Sequence, residues 1–388
     1  MKNIVIIGAG IVGLAIAREL ARKGHKRIEI LEKEAEIASH QSSRNSGVMH
    51  AGLYYSPGSL KANLSRKGIN LMKNYCNEHN ILWNECGKIV VATKQKQLVE
   101  LEKLFSRGEK NNLIGLRRLD SKNIIKIEPH VEAISGLHVP EESIVNFKDV
   151  ANSFLRELES FGIKVNYNSK LINYENRKNE IILENEKKVK ADIIISASGL
   201  YSDNVSKILG LNIDNQKIVP FRGEYFNLKE EFKFLVKGLI YPVPDPSLPF
   251  LGVHFTRMIN NNVEAGPNAV LAMAREGYGW TKINLEEFTE SLFYPGLINF
   301  VKKYPLVSFG EIGRSLSKAL FVKSLRNLIP EIHERMLIRG DAGVRAQLMN
   351  LKGDLIQDFD IRVQKNIISI LNAPSPAATS SIAIAKYV

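Results

Sequence analysis

Residues 3–32 read NIVIIGAGIVGLAIARELARKGHKRIEILE and contain the pattern that decides the first unit of the fold. The apolar run Asn3–Ile7 predicts a strand buried on both faces, and Ile28–Leu31 predicts a second one. Between them, apolar residues at helical spacing predict a helix over Leu14–Lys23, which Gly24 ends. The segment is therefore a complete strand–helix–strand unit of about thirty residues.

Three glycines, Gly8, Gly10 and Gly13, connect the first strand to the helix. The first permits a tight turn, the second lets the backbone approach a pyrophosphate, and the third lets the helix pack closely on the sheet. The helix N-terminus offers N–H groups to phosphates, and Glu32 can accept hydrogen bonds from ribose hydroxyls. A turn that binds nothing is the alternative, but the register of all these parts predicts a dinucleotide site.

The composition is that of a globular protein, since 44% of the 388 residues are hydrophobic and 24% are charged. The length predicts two domains, or one large domain with an inserted lobe. Cys76 and Cys86 are too few for a disulfide framework and do not have the spacing of a metal site, so we expect no bound metal. Because no signal peptide or membrane-spanning segment is recognisable, we expect a cytoplasmic protein.

The net charge of +12 raises the question of an anionic partner. The lysines are spread along the chain, which favours a solvated surface over a nucleic-acid interface. We therefore expect no nucleic-acid partner. Weak attraction to an anionic substrate or to an anionic membrane surface stays open.

The rest of the chain shows two different patterns of predicted secondary structure. The predicted helix Lys148–Phe161 and the predicted strands Ile163–Tyr167 and Asp192–Ala197 continue the α/β pattern. From Gln216 to Met273, short β-runs separated by proline and glycine predict an antiparallel sheet. We thus predict an α/β fold with an α+β second lobe: a discontinuous, Rossmann-like dinucleotide-binding domain (1–85, 145–215 and 330–388) and an inserted substrate-binding domain with an antiparallel sheet (86–144 and 216–329).

Two later segments favour FAD over NAD as the dinucleotide. The strand Asp192–Ala197 leads into Ser198-Gly199, which would bring a third stretch of backbone close to the nucleotide. The run Pro374–Ser381 can begin a second helix aimed at a flavin ring, where the helix dipole would stabilise negative charge on the reduced flavin. An ordinary helix that begins at proline is the alternative for that run.

A polar loop from Ser39 to Tyr55 (SHQSSRNSGVMHAGLYY) contains a candidate base, His50. Near neutral pH, histidine can accept a hydroxyl proton as hydride leaves the adjacent carbon, although a structural histidine is the alternative. Arginine is suited to bidentate carboxylate binding, and an acidic substrate would need at least one. The candidate groups, each of which could instead be structural, are Arg44, Arg222, Tyr241, His254, Arg257 and Arg345.

The segment Glu311–Leu328 (EIGRSLSKALFVKSLRNL) predicts an amphipathic, basic helix. Such a helix can lie on a membrane surface, here the cytoplasmic face of the inner membrane. The same pattern is also typical of a helix that packs on its own protein and exposes its lysines. Both interpretations stay open.

Four runs resemble those of one enzyme family: Asn45–Tyr55 (NSGVMHAGLYY), Gly252–Arg257 (GVHFTR), Arg339–Gln347 (RGDAGVRAQ) and Asn372–Ile384 (NAPSPAATSSIAI). They resemble L-2-hydroxyglutarate dehydrogenases and oxidases, of the D-amino-acid-oxidase-like superfamily of FAD-dependent oxidoreductases. The resemblance covers essentially the whole chain, and its specific parts are the His50 loop and the C-terminal run. Met49 and Asp341 depart from it, since an aliphatic and a small residue are expected there.

The resemblance implies oxidation of L-2-hydroxyglutarate to 2-oxoglutarate, with hydride passing to flavin N5 and electrons then to a quinone or oxygen. His50 would accept the hydroxyl proton. The substrate would be held by Tyr54, Tyr241, His254, Arg257 and Arg345. FAD would be held by Gly8, Gly10, Ile11, Val12, Gly13, Glu32, Lys33, Ser42, Ser43, Arg44, Asn45, Ser46, Gly47, Leu171, Ala197, Ser198, Gly199, Ser375, Ala377 and Ala378.

Three other functions stay open at this point. The chain could be an amino-acid or glycerol-phosphate oxidase of the same superfamily, which the GVHFTR and NAPSPAATSS runs disfavour. It could be a flavin-binding module without turnover. It could also be an RNA-modifying flavoprotein, which the dispersed lysines disfavour.

Overall fold

The computed structural model describes residues 2–248, 250–305, 310, 313–315 and 317–388. Within them, the α-helices are α1 Ile11–Arg22, α2 Leu60–Glu78, α3 Leu98–Lys110, α4 Ser121–Ile127, α5 Phe147–Ser160, α6 Ser202–Ile208, α7 Leu285–Leu292, α8 Pro295–Lys303, α9 Lys318–Leu325 and α10 Ala377–Tyr387. The strands are β1 Ile4–Ile7, β2 Ile28–Leu31, β3 Val48–Met49, β4 Trp83–Asn84, β5 Lys88–Ala92, β6 Arg117–Asp120, β7 Ser135–Val139, β8 Ser143–Val145, β9 Val165–Asn166, β10 Leu171–Glu175, β11 Glu180–Leu183, β12 Lys188–Lys190, β13 Ile193–Ser196, β14 Lys217–Leu228, β15 Leu239–Pro242, β16 His254–Arg257, β17 Val263–Gly266, β18 Val270–Leu271, β19 Leu337–Met349, β20 Asp360–Gln364 and β21 Ile367–Asn372.

The first large sheet has the strand order β20–β21–β13–β1–β2–β9, and every pair except β20–β21 is parallel. Its central strands are continuous apolar runs because a parallel sheet is covered on both faces. The predicted strand–helix–strand unit is present as β1, α1 and β2, and the predicted α/β fold class is confirmed. The helix begins at Ile11, earlier than predicted, because Gly10 is still extended and serves as its N-cap.

The second large sheet has the order β18–β14–β17–β16–β15–β5–β7–β6, and β19 pairs along β14. The ladder between β14 and β19 is antiparallel and runs from Lys217 opposite Met349 to Leu228 opposite Leu337. The sheet is mixed rather than purely antiparallel, because β15 and β5 pair in parallel.

The long strand β19 changes the domain boundary. The sequence prediction assigned residues after 330 to the nucleotide-binding domain, but β19 belongs to the second sheet through its pairing with β14. A strand that pairs over this length cannot be separated from its partner. We therefore propose that the second domain comprises residues 86–144 and 216–349, and that the nucleotide-binding domain resumes at residue 350.

A separate small sheet has the strand order β3–β8–β4. In it Val48 is paired with Ile144 and Met49 with Ser143, in antiparallel register. The residue after Met49 and the residue before Ser143 therefore emerge side by side. Those residues are His50 and Glu142, and the second of them was not a predicted site residue.

The predicted basic helix at 311–328 is only partly within the described residues, which exclude 311, 312 and 316. Its described part is α9, where Phe321, Val322 and Leu325 are buried in the core under the second sheet. Phe321 packs on Phe226 with ring centroids 4.8 Å apart. This apolar face contacts the protein itself, which favours the interpretation of a helix packed on its own protein, while Leu320 on the same helix is 47% exposed. No helix in the described part of the chain combines the length and apolarity needed to cross a bilayer.

Candidate active site

A cavity of about 1320 Å³ is lined by residues from both large sheets. It contains nearly all of the predicted site residues. The predicted residues that line it are Gly8, Gly10, Ile11, Val12, Glu32, Lys33, Ser42, Arg44, Asn45, Ser46, Gly47, His50, Tyr54, Leu171, Ala197, Ser198, Gly199, Tyr241, His254, Arg345, Ser375, Ala377 and Ala378.

The glycine loop forms part of the cavity wall. Gly8 has φ +103°, and a Cβ there would lie 2.6 Å from the carbonyl oxygen of Ala197, so the turn requires glycine. This contact brings the Ala197–Gly199 backbone against the loop, as predicted. Gly13 does not line the cavity, because its Cα packs directly on Gly8, and a Cβ there would lie 2.0 Å from the Gly8 carbonyl oxygen.

Glu32 lies at the end of β2 with its carboxylate held by backbone groups. Its Oε2 accepts a hydrogen bond from the N–H of Ala9 (2.7 Å) and its Oε1 accepts one from Glu34 (2.9 Å). The oxygens keep further lone pairs that ribose hydroxyls can use. The neighbouring Lys33 forms ion pairs with Glu34 and Glu276. Burial alone would lower the pKa of Lys33, but these carboxylates outweigh burial and raise it.

The loop between Gln41 and Gly47 is organised by its own side chains. The Asn45 side chain donates to the carbonyls of Gln41 and Ser42 (both 2.9 Å) and accepts from the N–H of Gly47 (2.9 Å). The hydroxyl of Ser42 accepts from the N–H of Ile11 at the start of α1 (3.0 Å). Ser43 does not line the cavity, and its hydroxyl donates to the carbonyl of His40.

The helix α10 begins at the cavity wall, where Ser375, Ala377, Ala378 and Thr379 line it. Its first-turn N–H groups have no partner within the helix and favour negative charge in front of them. The donor set therefore fits FAD. A glycine turn, a helix N-terminus and a ribose-binding carboxylate are present, and a second helix N-terminus lines the same cavity.

His50 is part of a buried charged chain. Its Nδ1 lies 3.0 Å from Oε2 of Glu142, and because a carboxylate only accepts, Nδ1 carries the hydrogen. The Oε1 of Glu142 accepts from Lys88 Nζ (2.7 Å) and from the N–H of Ala51 (3.0 Å). In the neutral ring this tautomer has its lone pair on Nε2, and His50 lines the cavity. A base for a hydroxyl proton needs that tautomer.

The charges of this chain are set by burial and by each other. The side chains of Lys88 and Glu142 are 0% and 1% exposed. Burial alone would raise the pKa of Glu142, but Lys88 and His50 outweigh it and lower the pKa to about 2. The rings of Tyr54 and Tyr241 lie 4.6 Å and 5.1 Å from Lys88 Nζ, where they stabilise its ammonium group.

Tyr54 has a buried hydroxyl that finds no hydrogen-bond partner among the residues described. Such a group in a cavity is suited to a ligand oxygen, because an unmade hydrogen bond in a buried site costs free energy. Burial and the nearby Glu142 charge raise the pKa of Tyr54 well above its usual range, so the hydroxyl keeps its proton and can donate.

Tyr241 and His254 are stacked, with ring centroids 3.9 Å apart. His254 Nδ1 lies 3.0 Å from the carbonyl oxygen of Gly252, to which it donates, so Nε2 is an acceptor. Burial lowers the pKa of His254 to about 3, and it is therefore neutral near pH 7. As a neutral acceptor it can receive a hydroxyl hydrogen bond but cannot pair with a carboxylate. Arg345, which also lines the cavity, is the cation of this group.

Arg257 does not line the cavity, which corrects its predicted role. Its guanidinium donates to the carbonyls of Val236 (2.8 and 3.0 Å) and Lys233 (2.8 Å). Side chains alternate between the faces of a strand, so residues three apart, such as His254 and Arg257, point in opposite directions. The sequence contained this signal, and the prediction overlooked it.

Arg222 is also outside the cavity, for the same reason. It lies between Gly223 and Phe221 on β14, and Gly223 lines the cavity, so Arg222 points to the other face. There it is fully buried, 3.3 Å from Glu224 and over the ring of Trp280 at 4.2 Å.

The prediction missed Glu142, Lys88 and Lys61. Lys88 opens a strand that is otherwise fully apolar (KIVVA), and a charged residue in such a strand is a detectable signal of function. Lys61, which lines the cavity, donates to the carbonyl of Gln357 (3.0 Å) and lies 4.8 Å from the ring centroid of Tyr55. Burial lowers the pKa of Lys61 to about 8.

Comparison with known proteins agrees with this site. The family model described as FAD dependent oxidoreductase matches residues 3–388. An L-2-hydroxyglutarate dehydrogenase of Indibacter alkaliphilus is 45% identical over 384 residues, covering 98% of this chain and 96% of that protein. A mitochondrial L-2-hydroxyglutarate dehydrogenase of Dictyostelium discoideum is 43% identical over 404 residues, covering 99% and 90%.

A solved structure of L-alpha-glycerophosphate oxidase from Mycoplasma pneumoniae, with FAD bound, has the same fold. Its TM-score is 0.78 at 20% identity, over 99% of this chain and 93% of that one. This structural similarity shows the fold alone. The two dehydrogenases, in contrast, are similar to this chain in sequence over nearly its whole length. The chain therefore belongs to the family of FAD-dependent oxidoreductases, among the L-2-hydroxyglutarate dehydrogenases, and its cofactor is FAD.

Proposed function

We propose that this chain oxidises the 2-hydroxy group of L-2-hydroxyglutarate to give 2-oxoglutarate, with His50 as the base. The observation that carries the proposal is the pair of His50 and Glu142 at the cavity wall, in which Glu142 holds the hydrogen on Nδ1 so that Nε2 of the neutral ring is the acceptor. Bound FAD supplies the acceptor for the hydride that leaves the substrate carbon.

The substrate hydroxyl gives its proton to His50 Nε2. Glu142 holds the ring in the tautomer that can take this proton. Tyr54 donates its unpartnered hydroxyl to a substrate oxygen. A diacid carries two negative charges, and the cavity offers cations on two different elements, Arg345 on β19 and Lys61 on α2.

The experiment is an anaerobic titration of the purified holoenzyme while flavin absorbance is recorded. L-2-Hydroxyglutarate should bleach the flavin, whereas its D-isomer, L-lactate and common amino acids should bleach it far more slowly. Bleaching by none of these compounds would refute the proposal and favour a binding module. Faster bleaching by glycine or glycerol 3-phosphate would favour the alternative that the shared fold suggests.

For the acceptor, we propose that electrons pass to a quinone or to oxygen, and that the protein is cytoplasmic and contacts the inner membrane peripherally. Helix α7, the residue Phe293 that follows it, and helix α8 support the contact. Leu285 (73%), Phe293 (78%) and Ile298 (42%) are exposed in this segment, and Lys302 and Lys303 lie in its last turn. Apolar residues with neighbouring lysines suit the surface of an anionic bilayer.

Two measurements test these points. Reduced enzyme mixed with oxygen or with a short-chain quinone will show which acceptor reoxidises the flavin faster.

Vesicles that contain anionic phospholipid should sediment the wild type but not a Leu285→Glu/Phe293→Glu variant. Leu82→Glu is the control, since Leu82 is equally exposed (72%) but lies outside α7 and α8. Equal sedimentation of both variants would refute the contact surface.

A further inference from the structure

Three ionisable side chains form a chain of contacts that ends at His50 in the cavity wall. Lys88 Nζ donates to one oxygen of Glu142 at 2.7 Å, and the other oxygen lies 3.0 Å from His50 Nδ1. The base needs Glu142 for its orientation, but Lys88 does not face the substrate position through any contact of its own. A fully buried lysine is costly to desolvate, so its presence requires a physical reason.

The reason lies in the charge that Glu142 places beside the base. A lone carboxylate next to a histidine favours the imidazolium and raises the pKa of the histidine, typically by one or more units. His50 would then be protonated near pH 7 and could not accept a second proton there. Lys88 neutralises the carboxylate, so the orienting hydrogen bond is kept while the field that would protonate His50 is cancelled.

We propose that Lys88 is a positioning residue which, by pairing with Glu142, keeps His50 neutral and able to accept a proton near pH 7. The inference rests on the proposed role of His50 as base. Lys88 is held in place by that pair and by the two tyrosine rings beside its ammonium group.

Lys61, which lines the cavity, titrates on the alkaline side of the measured range, because burial lowers its pKa to about 8. The groups nearest to His50 keep their charge across this range. Burial raises the pKa of the phenols of Tyr54, Tyr55 and Tyr241, so they stay neutral. Burial also lowers the pKa of His254 to about 3, so its ring is neutral in this range. Arginine keeps its charge at every relevant pH. The titratable and charged groups around His50 are Tyr54, Tyr55, Lys61, Arg107, Tyr241, His254 and Arg345 in the cavity wall, and Glu142 and Lys88 in the hydrogen-bonded chain that ends at His50.

The test compares the wild type with Lys88→Met, Glu142→Gln and the double variant, all as holoenzymes. The rate constant of anaerobic flavin reduction by L-2-hydroxyglutarate, divided by the dissociation constant, is measured from about pH 5 to about pH 9. In parallel, nitrogen NMR of histidine-labelled protein follows the protonation of His50, assigned from the spectrum of His50→Gln. Lys73→Met is the matched control, because Lys73 donates to the backbone carbonyl of Glu141 (2.8 Å).

Lys88→Met should move the titration of His50, and the acid limb of flavin reduction, to higher pH by about one unit. Glu142→Gln should move the His50 titration and the acid limb of flavin reduction to lower pH, because the positive charge of Lys88 is then no longer balanced by a carboxylate. The double variant removes both charges and should titrate close to the wild type. A lysine that only supports the fold would not produce shifts of opposite sign that cancel.

Shifts in the same direction, or no shift in Lys88→Met, would overturn the proposal. If Lys88→Met does not fold, the comparison of Glu142→Gln with the double variant still decides: removing Lys88 from Glu142→Gln should move the titration of His50 back to higher pH, and no difference between these two variants would overturn the proposal. A wild-type His50 that is protonated at pH 7 would overturn the proposal by itself. The NMR titrations can move as expected while the acid limb of flavin reduction does not follow them. In that case His50 is not the base and the proposed mechanism fails, but the effect of Lys88 on the protonation of His50 stands.

Discussion

His50 and Glu142 are 92 residues apart in the chain, yet their side chains meet at 3.0 Å because β3 and β8 pair Met49 with Ser143. The antiparallel register delivers the two residues to the same end of a small sheet. The pairing of two short strands thus creates the base and its orienting carboxylate.

Replacing His50 by glutamine should slow anaerobic flavin reduction by L-2-hydroxyglutarate by about 10²-fold or more, since general base catalysis is typically worth that much. FAD should stay bound, because His50 is not part of the glycine loop or of the loop between Gln41 and Gly47. Stopped-flow reduction and the flavin-to-protein ratio are the measurements. Near-normal reduction would remove His50 from the mechanism.

Removing the Glu142 carboxylate with Glu142→Ala should lower the free energy of unfolding by about 3–5 kcal/mol, because Lys88 is then left buried without its partner. Urea denaturation of the holoenzyme measures this. The control is Glu102→Ala, which removes an exposed partner of Arg118 and should change stability immeasurably. Equal effects from the two variants would contradict the buried-pair description.

The same pair makes stability depend on acid pH. Glu142 has a folded-state pKa of about 2, below the ordinary value of 4.5, so its stabilisation is complete above about pH 4.5 and is lost as the pH falls toward 2. The urea midpoint of the wild type should therefore decrease as the pH is lowered through this window. The fall should be smaller for Lys88→Met/Glu142→Gln, which has no carboxylate to protonate there, and an identical pH dependence would refute the assignment.

Gly8→Ala should abolish FAD binding, because the added Cβ would lie 2.6 Å from the Ala197 carbonyl oxygen. Gly24→Ala is a matched control. Gly24 also has positive φ (+91°), but a Cβ there meets nothing within 4 Å. Both variants carry backbone strain of about 1–3 kcal/mol, so only the contact with Ala197 distinguishes them. FAD binding to each apoprotein, followed by fluorescence, should be lost in the first variant and retained in the second.

Two arginines should give opposite results. Arg345→Met removes a cation from the cavity and should weaken L-2-hydroxyglutarate binding by about 10-fold or more, with little loss of stability. Arg257→Met should leave substrate binding unchanged and lower stability by about 1–3 kcal/mol, because the buried carbonyls of Val236 and Lys233 lose their donor. Dissociation constants from anaerobic flavin reduction, with urea denaturation, separate the two effects. Weakened binding in Arg257→Met would restore its predicted role.

The sequence by itself determined the features that depend on neighbouring residues. The strand–helix–strand unit, the glycine turn and the Glu32 position follow from local periodicity and spacing, and the whole-chain resemblance identified the cofactor and the family. These features are local because a tight turn and a helix N-terminus are formed within a few residues of one another.

Only the tertiary structure decided which distant side chains meet. It brought Glu142 and Lys88 to His50, turned Arg257 and Arg222 away from the cavity, and placed β19 in the second sheet. Each of these depends on strand pairing between segments far apart in the chain, and the register of such pairs is fixed by the packing of both faces of a sheet. The opening glycine loop therefore specifies the dinucleotide, whereas the carboxylate partner of His50 is supplied by the pairing of β3 with β8.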